Sequence, residues 1–168
     1  MEPLRILHLM SARQYVGEAA RVVDLVQGER ERGHDSRLVV RAGSPVGHEA
    51  GRRGLPYAEA ALGGNFVPWR DYADVRLVKR LIADRNIDVI HAHRGKDHWL
   101  AAWSLLGKKR PILIRSRHVV MPIRDHLPNR WLYERSTQGI IAVSAVVRQE
   151  VEKLLPLAQN KIRTIRGG

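Results

Sequence analysis

The 168-residue sequence contains no cysteine and a single phenylalanine, and its aromatic residues total 5%. Without thiols there are no disulfides, zinc–thiolate sites, iron–sulfur clusters or cysteine nucleophiles, a composition that fits a reducing cytosol. No apolar run approaches the ~18 residues needed to span a bilayer. The opening Met1-Glu2-Pro3-Leu4-Arg5 is not a signal peptide, because the apolar run behind it is short and broken by His8. Acidic residues are also scarce: 17 Asp and Glu stand against 29 Lys and Arg, a formal charge of +12. Such a surface either attracts polyanions (nucleic acid, anionic lipid, phosphorylated substrates) or is a solvated Arg-rich exterior. The basic residues are dispersed, so charge alone selects no partner.

Several catalytic motifs are missing as well: Gly-x-Gly-x-x-Gly, the P-loop, Gly-x-Ser-x-Gly, His-Glu-x-x-His and Asp-x-Asp. What remains is 44% apolar residues in a clear order. The length suits one domain spanning 1–168, able to bury roughly 70% of its unfolded surface.

The apolar period switches repeatedly between strand and helix. Short apolar strands are expected at Leu4–Leu9, Arg37–Val40, Ile87–His91, Ile112–Ile114, Gly139–Val143 and Ile162–Ile165. Helical spacing joins Ala19, Val22, Val23 and Val26, ending near Gly33, and resumes after Pro68 with Val75, Val78 and Ile82. Trp99, Ala102, Trp103 and Leu106 predict a buried helix stripe, Pro128–Thr137 a further helix, and Val147, Val151, Leu154 and Leu155 a last one capped by Ser144. The glycine-rich stretch 42–65 reads as loops with a short helix near His48–Arg53 and a weak strand near Leu55–Ala58. Alternating short strands and helices predict a Rossmann-like α/β fold: a doubly wound, mainly parallel sheet of six to seven strands with helices on both faces. Ligands collect at the carboxyl ends of such strands. Attention therefore falls on Ser11–Gly17, His91–Lys96, Arg115–Arg124 and Ser144.

Gly17 stands where the first loop enters the first helix, and either lets a phosphate approach the backbone or simply makes a tight turn. His91 and His93, two apart, share one face if the strand continues. They are a metal pair, hydrogen-bonding groups of the crevice, or core histidines; no third ligand is evident, and no metal is expected. His118 follows Arg115-Ser116-Arg117, either an anion-binding cluster or a basic loop, and flanking guanidiniums favour its neutral form.

In order, these landmarks resemble the N-terminal half of a family-4 glycosyltransferase of the GT-B fold. Val16-Gly17-Glu18 stands at the family's Gly-Gly-(x)-Glu loop, with Val16 in place of the first glycine. Arg32-Gly33-His34 and Asp88-Val89-Ile90-His91-Ala92-His93 are similar to its Gly-His and Asp-x-Ile-His-x-His segments. Arg115-Ser116-Arg117-His118 resembles the Arg-Thr-Arg-His of one subgroup, followed by Asn129–Tyr133. Ile140–Ser144 and Lys161–Gly168 resemble the last strand junctions, with Gly167 where the family has Asn. The resemblance implies metal-independent sugar transfer with retention, from a nucleotide-sugar donor to a glycolipid or saccharide acceptor such as lipopolysaccharide. It places Val16 and Gly17 at the donor diphosphate and His118 as the catalytic group facing the transferred sugar. His91, His93, Arg94 and Arg117 fall on the acceptor side. It also implies a cytoplasmic protein, peripheral at the anionic inner membrane face, whose donor-binding C-terminal domain lies outside this chain and without which it is inactive. No cofactor and no nucleic acid are expected. The competing reading is a stand-alone basic Rossmann-like module that binds nucleotide or nucleic acid without catalysis; such a module would interleave aromatics with its basic face.

Overall fold

The computed structural model describes residues 2–108, 110–154 and 156–165. The Arg166–Gly168 turn and Leu155 of the last helix lie outside the described residues. Seven parallel strands form one sheet: β1 (Arg5–Met10), β2 (Asp35–Arg41), β3 (Tyr57–Ala60), β4 (Val89–Ala92), β5 (Ile112–Arg117), β6 (Gly139–Ala142) and β7 (Ile162–Thr164), in spatial order 3-2-1-4-5-6-7. The helices are α1 (Glu18–Glu31), α2 (Pro45–Arg52), α3 (Pro68–Arg85), α4 (Gly95–Ser104), α5 (Leu127–Arg130) continuing as a π-helical turn over Trp131–Ser136, and α6 (Ala145–Leu154). This is the expected doubly wound architecture.

Each helix starts where its local chemistry allows. Gly17, at φ +45°, turns the chain into α1, and Ala19, Val22, Val23 and Val26 are all buried on one face, as their spacing requires. Gly33, at φ +88°, ends that element in a conformation that side-chain-bearing residues rarely adopt. Ser44 caps α2 by accepting from the Gly47 N–H, with Pro45 in the first turn, so this helix begins three residues before the expected start. Ser144 caps α6 in the same way through the Val147 N–H, as predicted. Asn86 closes α3 in the left-handed region.

Two expectations about packing change. Trp99 and Trp103 are half-buried at the rim, while α4 packs inward through Leu100, Ala101 and Ser104. The two indoles lie against the edge of the core with their centroids 5.6 Å apart, Trp103 meeting Phe66 at 5.8 Å and Trp99 meeting Trp131 at 6.3 Å. β5 also runs three residues beyond Ile114, so Arg115-Ser116-Arg117 is strand rather than basic loop.

The sheet winds outward in both directions from the β1–β4 junction. Because βαβ crossovers are right-handed, helices joining strands on one side lie on one face and those on the other side lie on the opposite face. Thus α1 and α2 pack over β1–β3 around Met10, Val22, Val26, Leu38 and Val40. The larger core lies on the opposite face, where α3, α4, the π-helical turn and α6 meet Leu7, Leu9, Ile90, Leu113 and Ile140. No described helix of the chain lies over β4–β7 on the α1 side, which leaves an apolar groove of about 640 Å³ there, edged by Ile6, Val89, Ile114, Ile141, Val143 and Ile165.

Candidate functional site

The winding reverses between β1 and β4, and the crevice opens at the carboxyl ends of these strands, the usual ligand position in this architecture. Two helices, α1 and α4, begin at it. A second cavity, of about 700 Å³, lies between the β1–α1 loop, the end of β2 and the start of α4. Four cations line it, Arg13, Arg41, Arg94 and Lys96, and Glu18 is its one carboxylate. Lys96 is paired with Asp71 at 2.5 Å. The Nη1 of Arg41 is buried with no hydrogen-bond partner among the described residues. An unpartnered buried donor of a charged group costs free energy, and an anion in the cavity would remove that cost. Helix N-termini add partial positive charge to the same space.

Asp97 locks the walls of this cavity together. Its Oδ2 accepts from the backbone N–H of Ser11 (3.2 Å) and of Arg94 (3.0 Å), which ties the β1 loop to the N-terminus of α4. Asp97 is fully buried, and burial pushes its pKa up despite those hydrogen bonds.

Beside the cavity, on the α1 face, runs a file of imidazoles. Strand register sets His8 opposite His91, and two-residue alternation adds His93, Ser116 and His118 to the same face. His8 Nε2 lies 2.8 Å from Glu29 Oε2, and His8 Nδ1 lies 3.0 Å from His93 Nε2. His93 Nδ1 lies 3.4 Å from His118 Nε2, and His91 Nε2 is 2.7 Å from Ser116 Oγ. Burial, then neighbouring positive charge, pushes His91 and His93 well below the ordinary histidine pKa. His118 falls to about 4, chiefly through burial and then through Arg115 and Arg21. The neutral form expected for His118 therefore holds, with burial rather than flanking arginines as the main cause. Each of His8, His91 and His93 offers a ring nitrogen within 4.8 Å of the others, which is the metal-capable group among the described residues. Two of those rings already share a hydrogen bond, and Glu29 and Ser116 engage further nitrogens of the group.

The expected site residues converge with one exception. Val16 and Gly17 line the cationic cavity with Arg94. His91, His93 and His118 share the adjoining groove. Glu18 joins the two, with Oε1 3.9 Å from His118 Nε2 and Oε2 4.0 Å from Arg94 Nη1. Burial raises the Glu18 pKa, against the pull of Arg94 and Arg115. Arg117 is the exception. It alternates with His118 onto the opposite face of β5, is buried, and gives its guanidinium to Tyr133 Oη (3.0 Å) and the Met121 carbonyl. It is a packing group there and does not line the cationic cavity, so the structure does not bring it together with the other expected acceptor-side residues.

Sequence reasoning missed Arg41, His8 and Glu29, and it did not single out Arg13 and Lys96 within the strand-tip segments it marked; Arg13, Arg41 and Lys96 come together only in the fold. A signal for His8 existed: a histidine in a strand otherwise apolar asks for a buried partner.

The description of Glycosyltransferase Family 4 matches residues 17–168. A glycosyltransferase from Rickettsia africae superposes with a TM-score of 0.84 at 17% identity, covering 100% of this chain and 44% of that one. HepE from Anabaena, solved in complex with UDP and glucose, superposes with a TM-score of 0.77 at 17% identity, covering 98% and 45%. The lipopolysaccharide outer core galactosyltransferase WaaB gives 0.74 at 8% identity, covering 98% and 46%. At these identities the likeness is one of fold, and the chain spans less than half the length of each of these structures. No curated protein matches the sequence. With 152 of its residues inside the family match, this chain belongs to glycosyltransferase family 4.

Proposed function

We propose that this chain is the acceptor-side domain of a retaining, metal-independent glycosyltransferase that moves a sugar from a nucleotide-sugar to an anionic envelope glycolipid or polysaccharide. The donor is held mainly by a second domain of the complete enzyme, and this chain alone is inactive. The observation that carries the reading is the cationic cavity opening beside His118 in a chain of this family. Arg13, Arg41 and Arg94 take a phosphate or carboxylate of the acceptor, while Gly17 at φ +45° leaves backbone N–H groups open toward the donor diphosphate. Neutral His118 faces the transferred sugar. His91 and His93 support this side of the crevice from within rather than touching the acceptor, since both are buried.

An exposed aromatic patch supports attachment to a membrane surface. Phe66, Trp69 and Tyr72 are each about two-thirds exposed or more around the start of α3, and Arg70, Arg76, Lys79 and Arg80 are exposed along the same helix. Aromatic rings at headgroup depth with flanking cations suit an anionic bilayer. No helix among the described residues is long and apolar enough to cross a membrane.

The test is a transfer assay with labelled nucleotide-sugars and extracted envelope acceptors, run on the complete enzyme, on this chain alone, and on His118→Ala in the complete enzyme. Transfer by the complete enzyme, none by the chain, and reduced turnover in the variant are expected. Transfer by the isolated chain, or unchanged turnover in His118→Ala, would overturn the assignment.

A further inference from the structure

We propose that Glu29, His8 and His93 form a one-way hydrogen-bond chain that fixes the tautomer of His118 and leaves its Nδ1 as an acceptor. The direction follows from the first link. An ionised carboxylate only accepts, so the 2.8 Å contact with Glu29 Oε2 places a proton on His8 Nε2. Ser36 Oγ donates to the same oxygen, so Glu29 gathers two donors. Burial opposes ionisation of Glu29, but these hydrogen bonds outweigh it and hold its pKa below the ordinary carboxylate range.

With a single proton, on the nitrogen that faces Glu29, His8 presents a bare Nδ1. The 3.0 Å contact requires a proton between the two nitrogens, and His93 Nε2 supplies it. That in turn leaves His93 Nδ1 bare, so the 3.4 Å contact is donated by His118 Nε2. Glu18 Oε1, 3.9 Å from the same nitrogen, favours the same proton position. What remains is His118 Nδ1, which is buried and has no partner among the described residues. In this arrangement each ring carries one proton, on Nε2, and the order runs from Glu29 through His8 and His93, which are 0% and 2% exposed.

The functional consequence rests on the reading that His118 borders the reacting sugar. There a substrate hydroxyl that displaces the cover of the buried Nδ1 donates to it, and that nitrogen has no proton to give an oxyanion. Glu29, His8 and His93 are positioning residues, none of which touches the substrate. If the imidazoles were mere packing, their tautomers would be independent of one another and of Glu29.

Long-range proton–nitrogen NMR on the chain labelled with ¹⁵N-histidine reads the tautomers directly, whatever reaction the complete enzyme performs. In the unmodified chain at neutral pH, His8, His93 and His118 are expected as single Nε2–H forms. In His8→Leu the chain loses its first two links, and in Glu29→Gln an amide that can donate or accept no longer enforces direction. In both, the Nε2–H population of His118 falls from nearly complete to about half. A proton on Nδ1 of His118 in the unmodified chain overturns the proposal, and that measurement decides even if His8→Leu does not fold. An Nε2–H form that persists undiminished in either variant overturns it as well. If this result stands while the transfer assay fails, the chain exists but the glycosyltransferase reading does not.

Discussion

Moving from about pH 7.5 to about pH 5.5 is expected to cost this fold on the order of several kcal/mol, through three buried histidines and the partly buried His118. His91, His93 and His98 are held well below the ordinary histidine value and His118 at about 4, in each case chiefly by burial. In the unfolded chain the same groups titrate near ~6.5. Below that value the unfolded state binds protons that the folded state refuses. The stability they contribute is therefore complete above about pH 6.5 and is lost as pH falls toward the folded pKa values. One unit below the unfolded pKa, each group that stays unprotonated in the fold contributes a loss on the order of 1 kcal/mol, a sizeable share of the ~5–15 kcal/mol that typical domains possess. Glu18 and Asp97 offset part of it, since burial raises their pKa values and their protonation favours the fold. The strongly lowered Asp88, at about 2, releases its contribution only in a more acidic window. Urea unfolding followed by circular dichroism at both pH values is the assay, with the midpoint falling and the slope unchanged. His98 supplies the control: it bonds Thr137 Oγ1 at 2.7 Å in the core, and His98→Gln removes on the order of 1 kcal/mol of the pH dependence. Equal midpoints at the two pH values would refute the reasoning.

Two further outcomes are expected. Both oxygens of the buried Asp74 accept backbone N–H groups, Ala61 and Leu62, each at 2.9 Å, and so hold the loop that carries Leu62 and Gly64 to the cationic cavity. Asp74→Ala strands both donors and costs about 2–5 kcal/mol in urea unfolding, Asp74→Asn about half; a loss under about 1 kcal/mol for Asp74→Ala would show that the donors find other partners. For the aromatic patch, Phe66→Ser with Trp69→Ser lowers co-sedimentation with anionic vesicles at least about tenfold, since each ring buried in the interface is worth about 1.5–3 kcal/mol. Undiminished binding of that double variant would remove the patch from any membrane role.

The sheet was legible because its strands are short, apolar and separated by helices with an obvious 3.6-residue period; α1 and α6 began where Gly17 and Ser144 said they would. β5 was not, because Arg115-Ser116-Arg117 looks like loop chemistry. Its two-residue alternation is nonetheless regular: Leu113, Arg115 and Arg117 take one face, and Ile114, Ser116 and His118 the other. In the stretch 42–65 the glycines concealed a Ser-Pro helix start. The π-helical turn at Trp131–Ser136 left no period that marks it apart from an ordinary helix. Of the site, the parts carried on one strand, His91 and His93, were visible in the sequence. The parts built by strand register or by assembling separate loops, His8 with Glu29 and Arg13 with Arg41, required the fold.

The claim at the centre of this account is that the cationic cavity receives the acceptor. Steady-state kinetics of Arg41→Gln in the complete enzyme test it most directly. Loss of a buried charged donor worth about 1.5–3 kcal/mol predicts an acceptor KM raised at least about tenfold, with the donor KM unchanged. A raised donor KM with an unaltered acceptor KM would contradict it.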